Sequence, residues 1–310
     1  MRVTSMATFS APIARGIRSF RSCTQYAPCD WQFVWQFAAD DECFRGHFPG
    51  HPVLPGVFLL EMAIRAAEYA LEQAAMPGHQ IRSVSRLRFV NPILPGDTCV
   101  LRLHWEDPEQ IQIAFTKAGT NVAHGVIGIG EPDRGAFRKH TGSAPAIARD
   151  GVLPVEVLPH RYPMLLVDGF ALDRCDKDRA TAYKNVTINE PCYRDAGHDT
   201  GAGELAYPPA LIVESFAQGA GLLLSRRGFL GSGSSQPSLM LFGEFRDIQF
   251  GSNALPGDQL RHEIQLTSVG RNIAHLAGVS CVEDRIVASF GSLMAFSISA
   301  GAVPRGEVSR

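Results

Sequence analysis

A four-residue string, Leu94-Pro95-Gly96-Asp97, returns 161 positions later as Leu255-Pro256-Gly257-Asp258, and its surroundings keep step: Ile248 falls on Leu87 and Phe250 on Phe89. Glu214, in Ala-Leu-Ile-Val-Glu-Ser-Phe-Ala-Gln, echoes Glu61 at an offset of 153, a difference that loop insertions account for. An internal repeat decides the architecture before any single element does. The chain of 310 residues reads as a tandem duplication, with two domains each large enough to bury its own core.

The repeated plan is most legible in the first copy. Residues 57–75 are apolar nearly all round (Val57, Leu59, Leu60, Met62, Ala63, Ile64, Ala66, Ala67), which predicts a central helix buried on every side. Trp31 to Ala38 reads as a strand before it. After it, Ser85 to Val90, Cys99 to Trp105, Gln110 to Lys117 and Val122 to Ile129 read as strands, with a Pro-Gly turn at Pro95 and Gly96. One long helix followed by turn-linked strands predicts an α+β unit, an antiparallel sheet wrapped around the helix. The expected divisions are an N-terminal extension over 1–29, a first domain over 30–131, a Gly/Pro-rich linker over 132–152 and a second domain over 153–310.

Composition removes several classes of function. The formal charge is −2 with 45% hydrophobic residues, so nothing points to nucleic acid, and no apolar run reaches the length of a membrane span. Seven cysteines without a CxxC or paired spacing read as thiols of a reducing compartment, and a cytoplasmic setting is expected with no structural metal. Residues 1–29 carry Arg2, Arg15, Arg18 and Arg21, several serines and no acidic residue before Asp30, the composition of an organellar transit peptide or of a plain leader.

Chemistry concentrates between Phe44 and Glu61, Phe-Arg-Gly-His-Phe-Pro-Gly-His-Pro-Val-Leu-Pro-Gly-Val-Phe-Leu-Leu-Glu. His47 stands in a Gly/Pro-rich loop whose irregular backbone presents a side chain rather than burying it in a strand. Gly56 and Val57 then open the helix, where unpaired N–H groups and the positive end of the dipole favour developing negative charge. Base, oxyanion donor and acid are thereby expected close together.

This segment, with its glutamate fourteen residues after the histidine, looks like the active-site segment of the β-hydroxyacyl-acyl carrier protein dehydratases, which have the hotdog fold. The second copy resembles the same family over nearly its whole length. Leu158-Pro159-His160-Arg161-Tyr162-Pro163-Met164-Leu165-Leu166-Val167-Asp168 is similar to the family's N-terminal segment, and Lys184-Asn185-Val186-Thr187-Ile188-Asn189-Glu190-Pro191 to the strand before its active-site loop. The resemblance implies a tandem double hotdog, an intrachain pseudo-dimer, open to further self-association.

The second copy departs from the pattern where the first is most faithful. Fourteen residues before Glu214 stands Thr200, His198 is two positions off register, and the helix opens on Pro209, which has no N–H to offer. In the family's dimers, the resemblance implies, the histidine of one hotdog works with the helix carboxylate of the other. The expected working site therefore joins His47 and Glu214, with Gly56 and Val57 as oxyanion or positioning groups and Gln218, at i+4 from Glu214, orienting the carboxyl. The expected degenerate site holds Glu61, His198, Thr200 and Pro209, with Arg65, at i+4, keeping Glu61 ionised. Glu214, flanked by Leu211, Ile212, Val213 and Phe216, is expected to keep a proton through desolvation. His160 is read as a packing residue, and His51 is given no role.

The implied reaction is loss of water from a (3R)-3-hydroxyacyl thioester, on acyl carrier protein or coenzyme A, with no cofactor. The order of histidine first and Glu-x-x-x-Gln second also resembles the double-hotdog dehydratase domains of polyketide synthases. Two other classes share the fold. A hotdog acyl-thioesterase has no need of the His-Phe-Pro-Gly loop, and a non-catalytic acyl-binding subunit would lack His47 or Glu214.

Overall fold

The structure, a computed structural model, describes residues 2–4, 20–74, 76, 79–107, 109–130, 153–201, 203–229 and 238–299. The linker expected over 132–152 lies outside the described residues, as does most of the N-terminal extension. In the first half, strands β1 (Arg2–Thr4), β2 (Ser22–Ala27) and β3 (Asp30–Gln36) precede helix α1 (Gly56–Gln73), and β4 (Gln80–Phe89), β5 (Thr98–His104), β6 (Gln110–Lys117) and β7 (Thr120–Gly130) follow it. The second half has the short helix α2 (Pro154–Val157), strands β8 (Gly169–Leu172) and β9 (Arg179–Asn185), then helix α3 (Pro209–Arg226) and strands β10 (Ser238–Phe250), β11 (Gln259–Val269), β12 (Ile273–Val282) and β13 (Arg285–Ser299).

The thirteen described strands form one antiparallel sheet in the order β1-β2-β3-β5-β6-β7-β4-β10-β13-β12-β11-β9-β8. Beyond β1, the second half repeats the first in reverse, so the halves meet through equivalent edges, β4 against β10. Leu87 pairs with Phe245 and Val84 with Ile248, positions that exchange under the repeat offset of 161. That is the register of a two-fold interface within one chain. Pairing these edges removes the exposed row of N–H and C=O groups each half would otherwise present.

Each helix lies on the inner face of its own half and packs against the other helix. The inward positions of β3, Trp31, Phe33 and Trp35, alternate with more exposed ones, as a strand covered on one face requires. α3 approaches β9 and β11 so closely that a Cβ at Gly219 would stand 2.6 Å from the Cβ of Ala182 and 2.7 Å from Ile264 Cδ1. No helix among the described residues is long and apolar enough to cross a membrane.

One expected boundary moves. β2 pairs with β3, and Phe20 and Cys23 are buried, so residues 20–29 belong to the first hotdog rather than to an extension ending at 29. The strand carries little sequence signal, because Ser22, Thr24 and Gln25 dilute its apolar alternation. Phe20 packs edge-on against Phe33 at 5.1 Å and Tyr69 at 5.5 Å between ring centroids. Phe20→Ala is therefore expected to cost about 3–5 kcal/mol of unfolding free energy in denaturant titration. A loss below about 1 kcal/mol, the scale of an ordinary surface change, would show that this segment is not part of the core.

Candidate active site

The loop carrying His47 is shaped by a short 3-10 turn at Glu42–Phe44 and by Gly46, whose φ is +82°. Gly46 is where the second half takes hold of the first. Its carbonyl accepts the Arg161 N–H at 3.0 Å, and a Cβ in its place would lie 2.2 Å from the Arg161 carbonyl oxygen. Val53 and His47 then close the loop twice. The Val53 N–H donates to the His47 carbonyl at 3.0 Å, and the Val53 carbonyl lies 3.0 Å from His47 Nδ1. A carbonyl can only accept, so Nδ1 carries the hydrogen and Nε2 is left with the lone pair.

His47 is buried, and its pKa is lowered to about 4, first by desolvation and then by the neighbouring His160; Glu214 and the Val53 carbonyl pull the other way without reversing it. The imidazole is therefore a neutral base across the physiological range.

Glu214 reaches the same place from α3. Its fourth neighbour, Gln218, is locked by backbone groups of known polarity: Nε2 donates to the Met164 carbonyl at 2.6 Å, and Oε1 accepts the Leu166 N–H at 2.9 Å. With the amide so oriented, Nε2 also donates to Glu214 Oε1 at 2.8 Å. His160 Nε2 stands 3.3 Å from the same oxygen. Both contacts fall on Oε1, and Oε2 has no hydrogen-bond partner among the described residues. The carboxyl is thus anchored by one oxygen and open at the other.

Two sequence expectations are corrected at this point. His160, read as a packing residue, stands between the expected base and acid, with its ring 5.3 Å from that of His47 and 5.0 Å from that of Phe48. The signal that could have found it was the one used for His47, a histidine among prolines, here Pro159 and Pro163. The second correction concerns the charge on Glu214. Burial is the largest single influence and raises its pKa. The hydrogen bond and charge of His160, the charge of His47 and the Gln218 amide together outweigh it, and the net direction is down. Apolar flanks alone do not hold a proton on this carboxyl.

Gly56 and Val57 head α1 after Pro55, and their amides take no backbone partner among the described residues. The missing Cβ of Gly56 leaves room for the Phe89 ring, whose Cε1 would be 3.1 Å from it. The second composite is not assembled in this way. Glu61 is buried against Arg65 at 2.9 Å, and Arg65 also meets Glu68 at 3.2 Å. Pairing with Glu61 raises the Arg65 pKa, so the guanidinium stays charged. His198 and Thr200 lie in a largely exposed loop where Thr200 Oγ1 accepts the Gly197 N–H at 2.8 Å, and Pro209 is the first residue of α3. Among the described residues neither His198 nor Thr200 bonds to Glu61. His51 joins the His47 loop through its backbone, exchanging N–H to O bonds with Phe48 of 2.9 and 3.1 Å.

Fold and site together define a tandem double hotdog with one histidine and glutamate pair assembled across its halves. Residues 24–126 match the family described as ApeI dehydratase, and residues 158–291 match the FabA-like domain. The 3-hydroxyacyl-[acyl-carrier-protein] dehydratase FabZ of Thermotoga petrophila is 36% identical over 132 residues, 43% of this chain and 86% of that protein. The chain belongs to this dehydratase family. Among solved structures, the dehydratase domain of RzxB from Pseudomonas fluorescens aligns with a TM-score of 0.66 at 14% identity, over 91% of this chain and 98% of that one. The dehydratase domain of PpsC from Mycobacterium tuberculosis, in complex with C12:1-CoA, aligns at 0.63 and 16% identity, over 87% and 94%. At such identities the likeness is one of fold.

Gly46→Ala tests how the His47 loop is held. A side chain there meets both a positive φ and the Arg161 carbonyl, so the variant is expected to lose about 1–3 kcal/mol of stability in denaturant unfolding. An unchanged midpoint would mean that the contact between Gly46 and Arg161 does not hold the loop.

Proposed function

We propose that this protein removes water from a (3R)-3-hydroxyacyl thioester carried on acyl carrier protein, giving the trans-2-enoyl thioester, as a step of fatty-acid or polyketide-type biosynthesis. What supports this reading is that His47, neutral and buried, lies within electrostatic reach of the buried Glu214, one residue from each half.

His47 Nε2 takes the proton at C2, which a neutral imidazole does and an imidazolium does not. The charge that develops on the thioester oxygen falls to the Gly56 N–H at the head of α1, where the helix dipole adds to the hydrogen bond. The C3–O bond breaks as the hydroxyl receives a proton at the open oxygen of Glu214, and water leaves. Val57 lines the same helix start, and Gln218 keeps the carboxyl from turning away.

If this assignment holds, His47→Ala and Glu214→Gln each lower turnover by about a hundredfold to ten-thousandfold, the range for losing a placed base or acid. That is roughly 3 to 5.5 kcal/mol of barrier. Glu61→Gln and His198→Ala stay within a few-fold of the parent, since the helix start on their side is Pro209. Turnover is followed as enoyl formation by mass, on proteins of matched melting temperature. Equal damage from Glu61→Gln and Glu214→Gln would contradict the assignment. Release of free thiol in place of an enoyl product would favour an acyl-thioesterase.

A further inference from the structure

In the scheme above His160 has no part, although it touches both working residues. It lies 3.3 Å from Glu214 Oε1 through Nε2, its ring stands 5.3 Å from that of His47, and its buried Nδ1 has no hydrogen-bond partner among the described residues. Its backbone is pinned as well. Arg161 Nη1 donates to the His160 carbonyl at 2.7 Å and to the Leu158 carbonyl at 2.8 Å, and the Arg161 N–H holds Gly46.

The site also has a problem that His47 and Glu214 do not solve by themselves. An acid whose surroundings favour its ionised form has no proton to give, and that is the condition of Glu214. We propose that His160 is a positioning residue that holds, jointly with Glu214, the proton destined for the leaving hydroxide. The proposal rests on the dehydratase reading and deepens it.

The protons balance. At rest His47 is neutral, and the His160 and Glu214 pair carries one proton between an imidazole and a carboxylate. The C2 proton moves to His47 and the C3–O bond breaks. The departing hydroxide takes the pair's proton through Glu214, which leaves His160 neutral and Glu214 ionised opposite a protonated His47. Return of that proton to the pair resets the site. The titratable or charged groups facing His160 are Glu214 from α3 and His47 from the loop before α1. Next to it on its own segment is Arg161, whose guanidinium is turned to backbone carbonyls.

His160→Gln keeps an N–H for Glu214 Oε1 and removes the proton reserve. The test is the pH dependence of kcat/KM for enoyl formation, which reports the groups of the free enzyme. A wild type that forms no enoyl product sinks the dehydratase reading itself. Given an active wild type, the variant's bell is expected to narrow from both sides. The alkaline limb moves down by about one pH unit or more, the scale on which one charge moves a buried partner. The acid limb moves up because His47 loses a positive neighbour. His160→Asn, one methylene shorter, is measured alongside and stands in if the glutamine variant fails to fold. Should both limbs stay in place while only the height of the profile falls, His160 is merely structural and the proposal is overturned.

Discussion

The pairing of β4 with β10 is the constraint on which the rest of this protein depends. Each half's sheet ends in two edge strands, of which β4 in the first half and β10 in the second face one another, and its helix lies along the inner face. Joining two such edges in antiparallel register makes one sheet and packs α1 against α3. Phe89 and Phe245 meet edge-on across the seam at 5.2 Å, and Arg86 closes on Glu244 at 2.7 Å. In this arrangement a loop of the first half and a helix of the second contribute to one site. The second half's N-terminal segment also clasps the His47 loop at Gly46, whose carbonyl accepts the Arg161 N–H.

Two-fold symmetry offers two equivalent clefts, and covalent linkage frees them to diverge. The differences are single residues with distinct physical effects. At the helix starts, Gly56 provides an N–H and Pro209 provides none. One turn beyond the two glutamates, Arg65 fixes a charge, whereas Gln218 fixes an orientation. The cleft that keeps the histidine, the amide and an orientable carboxyl is suited to proton transfer. The other holds a buried ion pair at its helix and an exposed loop in place of the histidine segment.

Much of this was legible in the chain because repeats and motifs are local. The offset of 161 marks the two halves, the all-round apolar run marks α1 within two residues of its ends, and the pairing of His47 with Glu214 was an expectation that the resemblance to the dehydratase dimers implied. What escaped depends on partners distant in sequence. β2 is recognisable only through its pairing with β3, since its own residues are mostly polar. His160 stands outside the helix-and-loop motif and reaches the site through tertiary contacts, its own with Glu214 and Phe48 and that of Arg161 with Gly46. The downward direction of the Glu214 shift is illegible for the same reason, because its apolar neighbours are adjacent in sequence and His160 is not. In each case a tertiary contact decides the outcome.

The central claim is that one chain holds one complete site, with His47 and Glu214 contributed by its own two halves. It is tested most directly by co-expressing the His47→Ala and Glu214→Gln chains under separate affinity tags and assaying the purified mixture for enoyl-thioester formation. The two lesions lie in the same cleft of each chain, so the account predicts that the mixture remains as inactive as either variant alone. Recovery of a substantial share of wild-type turnover would show that the working pair forms between chains, which contradicts it.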